Sequence, residues 1–231
     1  MDDLILSSLF LGFLLGLSHA LDADHVVAVG TLAAETESLK RSSILGIFWG
    51  IGHTVTLTVI GGLILSLKWK IPQVLATSME VLVAGMIVGL GALLLWRARR
   101  PLTFHAHTHS HDDSTHTHVH VHVQNKEAHA HHHLRNSLRK AFGVGLVHGI
   151  AGSAALTLTV MATMPSRFLG LLYIVVFGTG TIAGMFVMST VISMPFIFMA
   201  QRAAHWQTRI KVCAGIFAMG FGGTLAWSIL F

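Results

Sequence analysis

The sequence predicts an all-α integral membrane protein, with six transmembrane helices arranged as two inverted three-helix repeats. Three observations predict this. Only 11% of the 231 residues are charged and the mean hydropathy is +0.68, whereas a soluble domain carries about 25% charged residues. Six apolar runs each supply the roughly 20 helical residues that a bilayer core requires. Three short motifs recur at a constant spacing near 129 residues. The 25 Asp, Glu, Lys and Arg side chains cannot cover a water-facing surface for a chain of this size, so a soluble globular enzyme is excluded.

The six runs span residues 4–34, 44–67, 74–96, 141–164, 168–200 and 210–231. The first and fifth exceed the others, and at 1.5 Å per residue each would be about 45 Å long as a straight helix. The first is expected to break or tilt near residues 16–22, and the fifth to kink at Pro195. Pro72, Pro101 and Pro165 fall at run boundaries, where a missing N–H is tolerated. The opening Met1-Asp2-Asp3 lacks the basic segment that precedes a cleaved leader, and apolar patterning resumes directly after Ala20, so no cleaved leader is expected.

Basic residues set the orientation. The formal charge of +5 comes from 15 Lys and Arg against 10 acids. They lie between the runs, so they determine topology and no nucleic-acid partner is expected. Loops after the first, third and fifth runs, together with Lys211 at the head of the sixth, hold twelve of them, and loops after the second and fourth hold three. The odd-numbered loops are therefore expected in the cytoplasm, with both termini outside, and the location is the cytoplasmic membrane. The chain divides into a first three-helix repeat (1–97), a flexible cytoplasmic loop (98–137) and a second three-helix repeat (138–231).

The repeat rests on three matches. Gly16-Leu17-Ser18-His19-Ala20 aligns with Gly145-Leu146-Val147-His148-Gly149, Gly50-Ile51-Gly52 with Gly178-Thr179-Gly180, and Val83-Ala84-Gly85 with Cys213-Ala214-Gly215. The offsets are 129, 128 and 130. An odd number of spans per repeat makes the halves inverted, a plan that places a transporter's site at their interface near the midplane.

The chemistry concentrates in His19-Ala20-Leu21-Asp22-Ala23-Asp24-His25, inside the first run. An unpaired Asp at the bilayer centre costs about 2.5–3.5 kcal/mol, so two acids there point to function. At 100° per residue His19, Asp22 and His25 fall within about 120° of one helical face. Asp24 points away on a regular helix. It either orients a histidine or is brought inward by a break. Imidazole with carboxylate suits divalent first-row cations and not Cu(I). A divalent ion also balances two carboxylates. His53 in the second run and His148 in the fourth have small neighbours that permit close helix approach, and either could complete the coordination. His205, among Arg202, Trp206 and Arg209, reads as an ordinary interface residue. The single Cys213 excludes a disulfide framework and a cysteine-pair metal site.

Together the His-x4-Asp-His signature from His19 to His25 and the Gly52-His53-Thr54 of the next span resemble the nickel/cobalt transporters (NiCoT/NicO). The chain is most similar to their short, six-span, UreH-like branch. The resemblance covers the membrane part and is strongest over residues 16–67. It implies that His19, Asp22, Asp24 and His25 select and bind the metal and that His53 assists. Larger relatives have eight spans where six are read here. Their second half carries an acidic signature, replaced here by Gly149-Ile150-Ala151-Gly152-Ser153.

Twelve of the 17 histidines lie between His105 and His133. This low-complexity tract cannot pack a core. Alternating histidines in extended chain share one side, so neighbouring ones can chelate a metal. Most are neutral and available at pH 7. The tract is expected to buffer or sense metal.

These features predict a secondary transporter that moves Ni2+, with Co2+ as the alternative ion, most readily as an uptake system. The ion is cargo, and no catalytic cofactor is expected. No Gly-Lys pair occurs anywhere, which excludes a P-loop ATPase in this chain. Expected partners are the divalent ion, the lipid bilayer and a cytoplasmic metallochaperone. Two alternatives stay open. One is efflux by the same fold. The other is a membrane-embedded zinc hydrolase built on His19, Asp22, His53 and His148, which would need a water-activating base.

Overall fold

The computed structural model describes the backbone of residues 2–36, 38–67, 72–99, 103–111, 114–122, 130–150, 164–202 and 204–231. Side chains are described for residues 3–36, 38–67, 72–99, 135–150, 164–199 and 208–231. The first apolar run forms two helices, α1 (Asp2–His19) and α2 (Ala23–Ala33), bent by 53° at the break. The sequence supplies the break. Asp22 sits at the head of α2 with φ −58° and ψ 144°, outside the helical region, and makes no side-chain capping bond. Its carboxylate is held by His19 instead. Short polar side chains that bond locally compete with helical backbone, so an Asp is well placed to end one helix before the next begins.

After the break come α3 (Leu39–Leu67) and α4 (Gln73–Ala98). Pro72 caps α4 at φ −62°, the angle its ring imposes. The His-rich tract contains two strands, β1 (Thr103–His111) and β2 (Ser114–His122), paired antiparallel. The chain then forms α5 (Ala130–His148), α6 (Arg167–Arg202) and α7 (Ala204–Leu230).

Four of these helices, α3, α4, α6 and α7, are long and apolar enough to cross a membrane, and the bent α1–α2 pair makes a fifth span if counted as one. Large apolar side chains point outward along them, among them Phe10, Val59, Leu82, Val187, Phe217 and Trp227. Helices that are apolar all round belong in lipid. The protein is therefore a multi-pass helical membrane protein.

Three expectations need correction or restriction. Six spans are not reached among the described residues. The fourth run, 141–164, begins inside α5, and residues 151–163 lie outside the description. The fifth run forms one continuous helix, α6, of 36 residues through Pro195, so of the kink or break expected there a break is set aside. In a membrane helix, a backbone carbonyl freed by proline can be satisfied by neighbouring groups. The segment 98–137, expected as loop, holds both strands and the first turns of α5.

The ends of α1 and α5 are built alike. Both α1 and α5 stop at a histidine, His19 and His148. At the end of α1, Ala20 N–H donates to Gly16 C=O (3.4 Å) and Leu21 N–H to Ser18 C=O (2.9 Å). At the end of α5, Gly149 N–H donates to Gly145 C=O (2.9 Å) and Ile150 N–H to Val147 C=O (3.1 Å). Each acceptor and donor is displaced by 129 residues from its counterpart.

Packing follows the same exchange. α1 lies on α6, α5 lies on α3, α3 lies on α6, and α4 lies on α7. A Cβ on Gly16 would collide with the Phe177 carbonyl of α6, and one on Gly145 with the Trp49 carbonyl of α3. Likewise Gly180 abuts the Phe13 carbonyl and Gly52 the Phe142 carbonyl. Small residues allow this approach between membrane helices, where packing supplies the attraction that water supplies elsewhere. Ser42 and Thr56 add hydroxyl bonds to carbonyls of Ser189 (2.9 Å) and Leu146 (2.9 Å). On one flank of the bundle, Arg97 of α4 pairs with Glu35, just past the end of α2.

Candidate metal site

The break between α1 and α2 faces α3 and α5, and four histidines meet there. His25 and His53 are fully buried, His148 is 1% exposed and His19 is 8% exposed. The helix ends place them. His19 is the last residue of α1 and His148 the last of α5, so each projects from a terminus into the gap. His25 lies in the first turn of α2, and His53 lies on the face of α3 that Gly52 brings against α5.

Two carboxylates orient the rings. Asp22 Oδ2 lies 2.7 Å from His19 Nδ1, and Asp24 Oδ1 lies 3.1 Å from His25 Nδ1. Asp24 Oδ1 also accepts from the His25 backbone N–H at 2.9 Å, while its Oδ2 lies 3.0 Å from His148 Nε2. A carboxylate on one ring nitrogen fixes the tautomer and leaves the other nitrogen as a ligand. His19 Nε2 and His53 Nε2 stand 3.2 Å apart. At metal–nitrogen lengths of about 2.0–2.1 Å, two nitrogens that far apart can share one ion.

His25 is the hub. Its ring centroid is 4.2 Å from that of His148, 4.6 Å from His19 and 5.4 Å from His53. Ligand atoms of His19, His25 and His53 lie within 4.8 Å of one another, and so do those of Asp24, His25 and His148. His25 Nε2, His53 Nδ1 and His148 Nδ1 are buried without a hydrogen-bond partner. Burying an unsatisfied polar atom costs about 1–3 kcal/mol. Several such atoms in one cluster are a site arranged for something that binds them.

All six candidate residues lie at the junction. The roles of the two acids exchange. On a straight helix Asp22 shares the ligand face and Asp24 points away. With the helix broken, Asp24 turns inward and joins α2 to α5, while Asp22, with a side chain 48% exposed, reaches only His19 among the ligands. Sequence reasoning missed Trp49, whose ring lies 5.5 Å from His148 and 6.2 Å from His25 and walls the cluster. The repeat held a signal for it: Trp49 corresponds to Phe177, which packs 5.5 Å from His19. The repeat also puts Thr181, fully buried, where the first half has His53. The four-histidine cluster is therefore built mostly from the first half. The His205 side chain lies outside the described residues.

No family model matches the chain, and no solved structure matches it. It is 37% identical over 220 residues to the urease accessory protein UreH of Bacillus sp. (strain TB-90), covering 94% of this chain and 90% of that protein. An identity of that size over nearly the whole of both chains, joined to the His-x4-Asp-His segment at a helix break, makes this protein a member of the UreH-like branch of the NiCoT/NicO family.

Proposed function

We propose that this protein is a secondary transporter that carries Ni2+, with Co2+ as the alternative ion, into the cell across the cytoplasmic membrane. The observation that carries the reading is the set of three buried, unpartnered imidazole nitrogens, on His25, His53 and His148, where α2, α3 and α5 meet. The ligand set of imidazoles and one carboxylate suits a borderline divalent ion. The UreH relationship supports nickel as cargo.

In this reading the halves are inverted repeats of six spans, and the ion sits where they meet. The mirrored helix ends and mirrored glycine contacts support it. Asp22, the more exposed acid, attracts the hydrated ion. His19, His25 and His53 strip its water. Rocking of the halves then passes it toward Asp24 and His148, which share His25 with the first group. A divalent ion entering a negative-inside cell gains about 4.6 kcal/mol per 100 mV, so uptake needs no ATP. The zinc-hydrolase reading requires Asp22 among the metal ligands. Asp22 belongs to neither group of converging ligand atoms among the described residues.

The test is flux into proteoliposomes with an imposed inside-negative potential. Nickel should enter, cobalt should compete, and flux should rise with the potential. No flux in either direction, from protein that inserts and binds nickel, would overturn transport. Flux favoured only by an inside-positive potential would overturn uptake.

A second expectation separates the two acids. Asp24→Asn should weaken nickel binding by about 10–100-fold, the usual effect of removing an orienting carboxylate. Asp22→Asn should weaken it less, because its partner His19 keeps its other contacts. Equilibrium dialysis of both purified variants decides the order.

A further inference from the structure

A cavity of about 410 Å3 lies between α2, α4 and α5, and none of the six metal-site residues lines it. Its walls are apolar, with Leu32 from α2, Met86 and Leu90 from α4, and Val144 and Val147 from α5. The hydroxyl of Thr31, also on the wall, is already bonded to the Ala28 carbonyl at 2.7 Å. Charge collects at one end, where α2 and α4 finish: Glu35, Arg97 and Lys140 form the mouth. At 1.5 Å per residue, the wall from Arg97 back to Met86 runs about 16 Å into the bundle.

The chemistry of this space argues against a metal path. It has no imidazole, and its one carboxylate, on Glu35, is held by Arg97. Two cations against one acid leave the mouth positive, which repels a metal ion and attracts a phosphate. Arg97 meets both Glu35 oxygens through Nη1 alone, so its other N–H groups remain for an anion. Lys140 has no carboxylate partner among the described residues. One turn before it, Arg41 of α3 donates to Ser137 at 3.4 Å and adds a third cation on that side. Behind the mouth, an apolar cavity larger than about 150 Å3 takes up apolar molecules in preference to water. Basic pockets between membrane helices are a recurring seat for acidic lipid head groups.

We propose that this cavity seats one anionic phospholipid, with its phosphate between Arg97 and Lys140 and an acyl chain along Leu90 and Val144. The lipid braces the metal site from behind, because α2 carries Asp24 and His25 and α5 ends at His148. The proposal needs only the membrane placement of the chain and does not rest on the transport reading.

The test is a titration of delipidated, detergent-purified full-length protein, followed by native mass spectrometry. The probes are phosphatidylglycerol, phosphatidylcholine with the same chains, and glycerol 3-phosphate. Two variants accompany the wild type. Gly143→Phe fills the cavity from a wall position where a Cβ meets nothing within 4 Å, and Lys140→Gln removes a charge at the mouth. The wild type should bind the first phosphatidylglycerol at least about tenfold more tightly than phosphatidylcholine. Lys140→Gln should lose most of that preference, and folded Gly143→Phe should lose the tight site for both lipids. Equal affinity of the wild type for the two lipids would overturn the proposal. So would wild-type preference in Lys140→Gln, an outcome that decides the matter even where Gly143→Phe does not fold. Glycerol 3-phosphate binding as tightly as the whole lipid would show an anion site without a chain, and would overturn it too. None of these results bears on nickel flux, since the six metal-site residues are intact throughout.

Discussion

Replacing His25 with alanine should reduce nickel flux in proteoliposomes by at least about a hundredfold, to the level of empty vesicles. Among the described residues, no other belongs to both groups of converging ligand atoms. Losing an outer orienting group typically costs about 10–100-fold in metal affinity, and losing the shared ligand should cost more. The protein should still fold, because the substitution also removes a buried, unpartnered nitrogen. Elution as a monodisperse species together with a helical circular dichroism spectrum checks this. His53→Ala should fall between His25→Ala and wild type, since His53 belongs to one group only. Wild-type flux in folded His25→Ala would remove the bundle junction from the transport path.

The largest expected stability effects are at two glycines far from each other in sequence. Gly16→Ala and Gly145→Ala each place a methyl group against a backbone carbonyl of the neighbouring helix, Phe177 and Trp49 respectively. Backbone cannot rotate away as a side chain can. Overpacking typically costs about 1–3 kcal/mol, and a helix must move here. Alanine also raises helix propensity by up to about 1 kcal/mol, which offsets part of the loss. Gly62→Ala and Gly85→Ala supply the controls, since a Cβ at either meets nothing within 4 Å. Thermal unfolding in detergent should show both contact variants less stable than wild type by similar amounts, with the controls unchanged or slightly more stable. Strong destabilisation in one contact variant and none in the other would break the correspondence between the halves.

Much of this protein is legible in its sequence because the bilayer enforces simple rules. Apolar length marks spans, and ionisable residues inside them mark the site. His19, His25, His53 and His148 stand out for that reason, and the spacing near 129 foretells that α1 and α5 end alike. The exchange of roles between Asp22 and Asp24 is only half legible: the sequence offers a break that brings Asp24 inward as one of two alternatives and does not choose between them. It depends on the backbone leaving the helical region at Asp22, and helical geometry extrapolated across a break assigns faces wrongly. The unbroken α6 escapes for a related reason. Proline disrupts a helix through the carbonyl it frees, and neighbouring chain decides whether that carbonyl is satisfied.

The paired strands β1 and β2 illustrate a different limit. Their alternation of histidine with Thr and Val has the period of a strand and the β-branched residues that favour one. Low complexity masks that period, because repetitive polar composition reads first as unstructured chain. Register, which sets the residues of one strand opposite those of the other, exists only once the two strands are paired.

The most direct test is the position of the ion itself. Crystals of the protein grown with nickel, with diffraction recorded at the nickel absorption edge, would locate it without reference to activity. An anomalous peak between His19, His25 and His53, or between Asp24, His25 and His148, is the predicted result. Nickel found only on the histidine tract or on the outer surface, with the junction empty, would contradict the account.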